Sequence, residues 1–440
     1  MKTSNQLLIT LFVACIFCFS TNAQQRWTLK ACMDTAFKKN IALNQEQLNS
    51  QIDKINLTQS KASLLPNLNL NDSHSLNYGY SDTYTNQYVN RNITVNNLSL
   101  NSSVTLFNGG LLLNTVRQNK LIYDAGMQDV EKIRNDILLF VLAGYMQVIM
   151  DYEAIDVAQA QVESSGTEVE RTQKFVDFGK VAELNLLQIQ SQLASDKLVK
   201  INADNQLQLD KLTLLQLMEI PVRNDFDVER LDLKYLFPEI PMSTEEIDKI
   251  SLGFLPQIKS ASLKTDASLF SLKMAQSGWM PKLSLGGALK TGYSSINTDS
   301  YSSQFKNNFS QVLSLSLYVP IFNNLQVKSS VAIAKINVLN AKLNELQTKN
   351  DLRKNIEIVY TNQVSAGKKM VATEEQMDLE KRTYSDMEKK YNAGAINATD
   401  FLIEKNNFTK VSMSLIQAKY DYVLKTKMVD FYLGKPLTFN

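Results

Sequence analysis

The first half of this 440-residue chain recurs, without a gap, 215 residues later. Pro66 pairs with Pro281, Leu68 with Leu283, Leu70 with Leu285 and Tyr78 with Tyr293. Phe107-Asn108 pairs with Phe322-Asn323, Tyr145 with Tyr360, Gly179 with Gly394, Leu187 with Leu402 and Pro221 with Pro436. Identities are few, but one offset holds through strand, turn and helix signals alike, as a duplication requires. The sequence therefore divides into a first repeat at 24–221, a linker at 222–244 carrying Pro238 and Pro241, a second repeat at 245–436 and a tail at 437–440.

Proline scarcity tells what each repeat can be. The stretches 67–220, 282–319 and 321–435 contain none, which leaves room for very long helices. Each repeat opens with a helical pattern, 29–64 and about 244–279; Pro66 ends the first, and Ser243-Thr244-Glu245-Glu246 suits the N-cap of the second. Strict alternation follows. Leu68, Leu70, Leu76 and Tyr78 fall on one face of 67–81, and Asn or Ser on most of the other. Strand pairs are expected at 67–81 with 93–107 and at 282–293 with 309–321, joined by polar, Tyr-bearing loops at 82–92 and 294–308. Apolar-out, Asn/Ser-in strands with rim tyrosines describe an outer-membrane barrel better than a soluble hairpin.

Long helices are expected next, at 111–174 and 323–390. At ~1.5 Å per residue each spans roughly 100 Å, about three bilayer cores, and their faces are too polar for lipid. Ile336, Leu339, Leu343 and Leu346 follow the 3-4-3 spacing of a coiled-coil seam. Each helix reverses at a glycine, Phe178-Gly179-Lys180 and Ala393-Gly394-Ala395, and returns over 182–218 or 397–432.

Met1–Ala23 reads as a secretory signal: Lys2, an apolar run at Leu7–Phe19, and a cut between Ala23 and Gln24. Cys15 and Cys18 lack a well-formed lipobox, which leaves a lipid anchor the lesser reading. The mature chain keeps one thiol, Cys32, so no internal disulfide can form, and that thiol reads as a packed core residue. No other stretch reads as a transmembrane helix, so membrane entry falls to the strands. Charges balance, 46 basic against 44 acidic, which gives no sign of a nucleic-acid partner. His74 is the only histidine, and no Gly-rich phosphate loop, metal-ligand cluster or Ser-His-Asp set occurs. The sequence points away from an enzyme, a cofactor or a resident metal.

Four membrane strands per chain cannot close alone. Eight strands make a plugged barrel, and twelve are the first multiple of four with room for a water-filled lumen. A homotrimer is the expectation, with four copies not excluded by sequence. Closure also removes unpaired strand edges. The expected architecture is an α+β membrane protein: a duplicated α-helical coiled-coil barrel plus a twelve-stranded β-barrel. A periplasmic coiled-coil scaffold or pump adaptor is the rival reading.

The chain also resembles the TolC-like outer membrane efflux channel family. The likeness is carried by Trp27-Thr28-Leu29-Lys30-Ala31-Cys32, Lys61-Ala62-Ser63-Leu64-Leu65-Pro66-Asn67-Leu68, Leu106-Phe107-Asn108-Gly109-Gly110 and Val319-Pro320-Ile321-Phe322-Asn323. Both helix reversals, Phe178 to Val181 and Tyr391 to Ile396, complete it. The resemblance implies a homotrimer in the outer membrane whose tunnel crosses the periplasm. It further implies a periplasmic adaptor and an inner-membrane pump as partners, met at the tips around Gly179, Lys180, Gly394 and Ala395. It implies a tip gate in which Tyr391 matches the family tyrosine and Asp400 the first aspartate ring. Asn185 occupies the place of Asp400 in the first half. The second aspartate position holds Ile403, with Glu404 beside it, and the gate arginine aligns with Ile396. The lock must therefore differ. By itself Asp400 also reads as a helix-start carboxylate favoured by the dipole.

Overall fold

The computed structural model describes residues 26–82, 88–90, 92–223, 225–230 and 242–437. The expected signal, its cut at Ala23 and Gln24, and most of 82–92, 231–241 and the tail lie outside these. In chain order the elements are α1 (Leu29–Lys39), α2 (Ile41–Ala62), β1 (Asn67–Asn77), β2 (Tyr80–Asp82), β3 (Tyr88–Asn90), β4 (Ile93–Phe107), α3 (Leu111–Asp177) and α4 (Glu183–Leu217). Then come α5 (Thr244–Phe254), α6 (Pro256–Gln276), a 3-10 turn (Ser277–Trp279), β5 (Lys282–Ser294), α7 (Tyr301–Asn307), β6 (Ser310–Tyr318), α8 (Gln326–Asn392) and α9 (Ala398–Tyr432). Helix bounds recur at the sequence offset: Leu111 and Gln326 start the long helices, Asp177 and Asn392 end them, and Leu217 and Tyr432 end the return helices.

Three expectations need correction. The opening helices, expected as single runs over 29–64 and 244–279, each break after 11 residues. Asn40 turns out to extended backbone (ψ 126°), and its Oδ1 accepts the Leu43 N–H at 3.1 Å, capping a fresh helix. At the equivalent place Pro256 has no N–H to give, and it holds Leu255 extended (ψ 131°). The loop expected at 294–308 contains α7. Ser300 caps it, and Gln304, 1% exposed, accepts the Ser294 N–H and donates to the carbonyls of Asn297 and Asp299. Finally, α3 does contain a stretch apolar enough by composition to cross a membrane. Its Val141, Leu142, Tyr145, Val148 and Ile149 are buried against protein, so this apolarity serves a core.

The described residues form two compact units. One comprises the residues up to Asn44, Ile133–Gly253 and Arg353–Asn440. Its buried core residues include Leu142, Tyr145 and Ile149 of α3, Leu214 and Leu215 of α4, and Cys32 and Ala36 of α1. Burial pushes the Cys32 thiol up to about 12, as a structural cysteine requires. Trp27 and Val228 pair as a short parallel bridge, and the Tyr145 hydroxyl donates to the Glu229 carbonyl at 2.8 Å. Ala366, Met370, Ala418 and Tyr422 form a second buried cluster between α8 and α9.

The other unit comprises Gln45–Lys132 and Phe254–Leu352 and holds the sheet. Strand order is β1-β4-β5-β6, antiparallel throughout, so the two hairpins share the central β4–β5 pair. Edge strands β1 and β6 are exposed along their whole length, each with an unpaired hydrogen-bonding edge. Leu70, Leu100 and Leu289 lie in one cross-strand row, and Leu285 with Leu315 in another, so the apolar side chains share a face. Towards the loops that face ends in Tyr293, whose ring lies tilted 5.0 Å from Tyr301, and in Phe305, stacked on Tyr301 at 4.7 Å. Trp279 and Phe107 stand exposed near the opposite end. From Leu283 to Tyr293 is about 34 Å along a strand, or roughly 25 Å when tilted by ~40°, the height of a barrel's apolar band.

The two return helices end in the same turn but with different residues. Helix α9 ends in a Schellman turn at Gly434 (φ +72°), with Lys435 N–H donating to Asp430 O at 2.9 Å. Helix α4 ends in the same turn, Ile220 N–H to Leu215 O at 3.0 Å, but the left-handed residue is Glu219 (φ +52°). A side chain there costs about 1 kcal/mol. Glu219→Gly should stabilise the protein by about 1 kcal/mol and Glu219→Ala by much less, as thermal unfolding in detergent will register.

Candidate functional site

The strongest local chemistry lies where each long helix reverses, and both reversals belong to the same unit. The two turns are built alike. Gly179 (φ +68°) donates to Val176 O at 2.8 Å and Lys180 to Phe175 O at 2.8 Å. Gly394 (φ +73°) donates to Tyr391 O at 3.0 Å and Ala395 to Lys390 O at 2.8 Å. A Cβ on either glycine would meet nothing within 4 Å, so the positive φ alone selects glycine. Phe178, Lys180 and Ala395 are exposed at the turns, and the Lys180 ammonium lies 5.8 Å over the Phe175 ring.

The return helices start differently. Asn397 Oδ1 accepts the Asp400 N–H at 2.8 Å, capping α9, whereas Ala182 leaves α4 without a side-chain cap. Asp400 is exposed in the first turn of α9, where the helix dipole favours its charge. Tyr391 is half-buried. Its ring stacks on Phe401 with centroids 4.5 Å apart and planes 1° from parallel. Phe401 is fully buried and also faces Tyr384 at 6.0 Å. Ile403 is exposed, and Ile396 half-buried. Glu404 faces Glu380 across α8 and α9, and burial with that like charge raises its carboxyl.

Arg171, which sequence reasoning missed, closes this group. Its guanidinium lies 5.1 Å from the Tyr391 ring centroid, pairs with Glu168 at 2.6 Å and donates to Asn392 Oδ1. One side chain of α3 thus holds the end of α8. Asp386 is the counterpart of Arg171 in the second repeat, so a basic residue where the other copy is acidic was the available signal. Further cross-ties run from Gln188 to Thr399 at 3.4 Å and from Gln192 to Asn406 at 3.0 Å, joining α4 to α9.

Above the turns lies a buried ionic group, also unforeseen. Lys405 Nζ, on a residue 1% exposed, donates to Ser165 Oγ at 2.6 Å, and Ser165 in turn donates to Asp196, itself buried. Burial lowers the Lys405 ammonium against the pull of Asp196, Glu168 and Glu388. Glu168, between Lys405 and Arg171, is raised mainly by burial. Helices α3, α4, α8 and α9 all supply a charge here. Among the described residues no group of His, Cys, Asp and Glu is placed to hold a metal.

The sequence profile of the outer membrane efflux protein family matches residues 33–218 and 252–435. The chain is 23% identical over 394 residues to the outer membrane protein TolC of Salmonella enteritidis, covering 87% of this chain and 76% of TolC. Its fold is similar to that of CusC, with a TM-score of 0.81 at 18% identity over 93% of this chain and 92% of CusC. It is likewise similar to VceC of Vibrio cholerae, with a TM-score of 0.79 at 16% identity over 93% and 97%.

Proposed function

Because the chain belongs to the outer membrane efflux protein family, a family of outer-membrane exit ducts, we propose that the paired helix tips are its gate and its docking point. The protein is a trimeric outer-membrane channel of an efflux system, its strands in the membrane and its helices in the periplasm. Three exposed Asp400 carboxylates would ring the axis at the tip, repel one another and favour bound cations. The lock is supplied by Arg171, which ties Asn392, Tyr391 and Glu168 together where the family arginine position holds Ile396. Tyr391 acts through its stack on Phe401, positioning the end of α8. The exposed Phe178, Lys180 and Ala395 are the contact surface for a periplasmic adaptor coupled to an inner-membrane pump. Transport through the duct is passive.

The observation that carries this reading is the bridge from Arg171 to Asn392 and Tyr391 at the end of α8. In planar bilayers Arg171→Ala should raise single-channel conductance by about twofold or more, and Asp400→Ala should in addition weaken block by divalent cations. Unchanged conductance in the first and unchanged cation block in the second would remove both residues from the gate.

A further inference from the structure

The register of the four-stranded sheet assigns its paired side chains to two faces. Leu100 pairs with Leu289 and with Leu70, so the even positions of β1 and β4 share the lipid-directed face with the odd positions of β5. The opposite face carries Asn and Ser on β1, mostly Asn, Ser and Thr on β4, and mostly Ser on β6. On β5 it carries two lysines. Lys290 pairs with Ser99 and Ser310, and Lys282 with Tyr318. Eight residues apart, they stand on one face, and both are exposed. The six strands contain two acidic residues, and the one in the four-stranded sheet, Asp72, pairs with Leu98 on the lipid-directed face. There Asp72 accepts from Asn96 at 2.8 Å, and the Tyr301 hydroxyl donates to Asn96, so that end of the outer face is closed by its own network. Among the described residues neither Lys282 nor Lys290 makes an ion pair. The polar face of the sheet therefore carries positive charge and no carboxylate to cancel it.

Resting on the reading of the chain as a trimeric channel, we propose that the barrel lumen is an anion-favouring filter, and that the exported solutes it passes best are anionic. Three copies would present two rings of three ammonium groups, one mid-barrel at Lys290 and one at the barrel base at Lys282. Fixed charge of one sign in a narrow water-filled passage raises the local concentration of the opposite ion. The effect weakens as salt shortens the screening length from ~10 Å at 0.1 M. The Asp400 tip carries the opposite sign, so net ion selectivity alone cannot report the charge of the lumen.

A multivalent anion offered to the barrel mouth reads it locally. Hexacyanoferrate(II) added on that side of a planar bilayer holding the wild-type trimer should block the current reversibly, more strongly at low salt. The Lys282→Gln, Lys290→Gln double variant should weaken that block by about tenfold, and Lys290→Arg should retain it, which separates charge from misfolding. Absence of block in the wild type, or equal block in the double variant, overturns the proposal while the channel reading stands. A reconstituted wild type that passes no current at all overturns the channel reading, and the filter with it.

Discussion

Lys405→Met should destabilise the tip by about 3–5 kcal/mol. The methionine fills the lysine's volume, so the loss is electrostatic. Without the ammonium, Asp196 keeps a charge in a site where it is only 5% exposed, and Ser165 alone cannot replace the ion. Glu168, already raised by burial, loses one of two nearby cations. Lys405→Met with Asp196→Asn should recover much of the loss, because a neutral pair leaves no uncompensated charge. Thermal unfolding of the four members of this cycle measures the coupling. Hydrogen exchange should localise the loosening to α3, α4 and α9 around Ser165, Asp196 and Lys405. A single variant within about 1 kcal/mol of wild type would show that the cluster does not hold the helices.

Asp151 should make the protein lose stability as pH rises from about 4 to about 7. Burial, with the Asp210 carboxyl beside it, pushes Asp151 from 3.8 up to about 7, and its Oδ2 is fully buried. Below the unfolded value near 4 both states hold the proton, and the pH has no differential effect. Between the two values only the folded state holds it, so each unit of rising pH removes up to about 1.4 kcal/mol. Above about 7 the loss is complete. Asp151→Asn keeps an acceptor for the Gln147 amide, which donates to Oδ1 at 3.0 Å, and supplies a donor towards Asp210. Its thermal midpoint should exceed the wild type's at pH 8 and match it near pH 4, so the gap between the two proteins opens as pH rises. Parallel curves for the two proteins would assign the buried Asp151 carboxyl no role in the pH dependence.

The tip shows what each level of description carries. Gly179 and Gly394 were legible because a helix reversal needs a left-handed residue, and that is a local demand. The expected place of Asp400, in the first turn of a return helix, follows from the same local logic. The direction of Tyr391 was not legible. A tyrosine beside a turn can face an axis or a neighbour, and here Phe401, ten residues further along the chain, takes it. Arg171 and Lys405 were missed because on one helix each reads as a solvated charge. Arg171 meets Asn392 across 221 residues, and Lys405 meets Ser165 across 240.

By itself the sequence determined the strand faces and the helix reversals, since each rests on periods and backbone preferences that span a few residues, and the duplication, which a constant offset of 215 residues reveals. The breaks at Asn40 and Leu255 are of that local kind too, although the stripe of apolar residues running through them masked the caps. Only the tertiary structure decided which helices are tied together and through which ions. A buried charge persists solely where another element brings its partner, and that meeting is a property of packing in three dimensions, not of spacing along the chain.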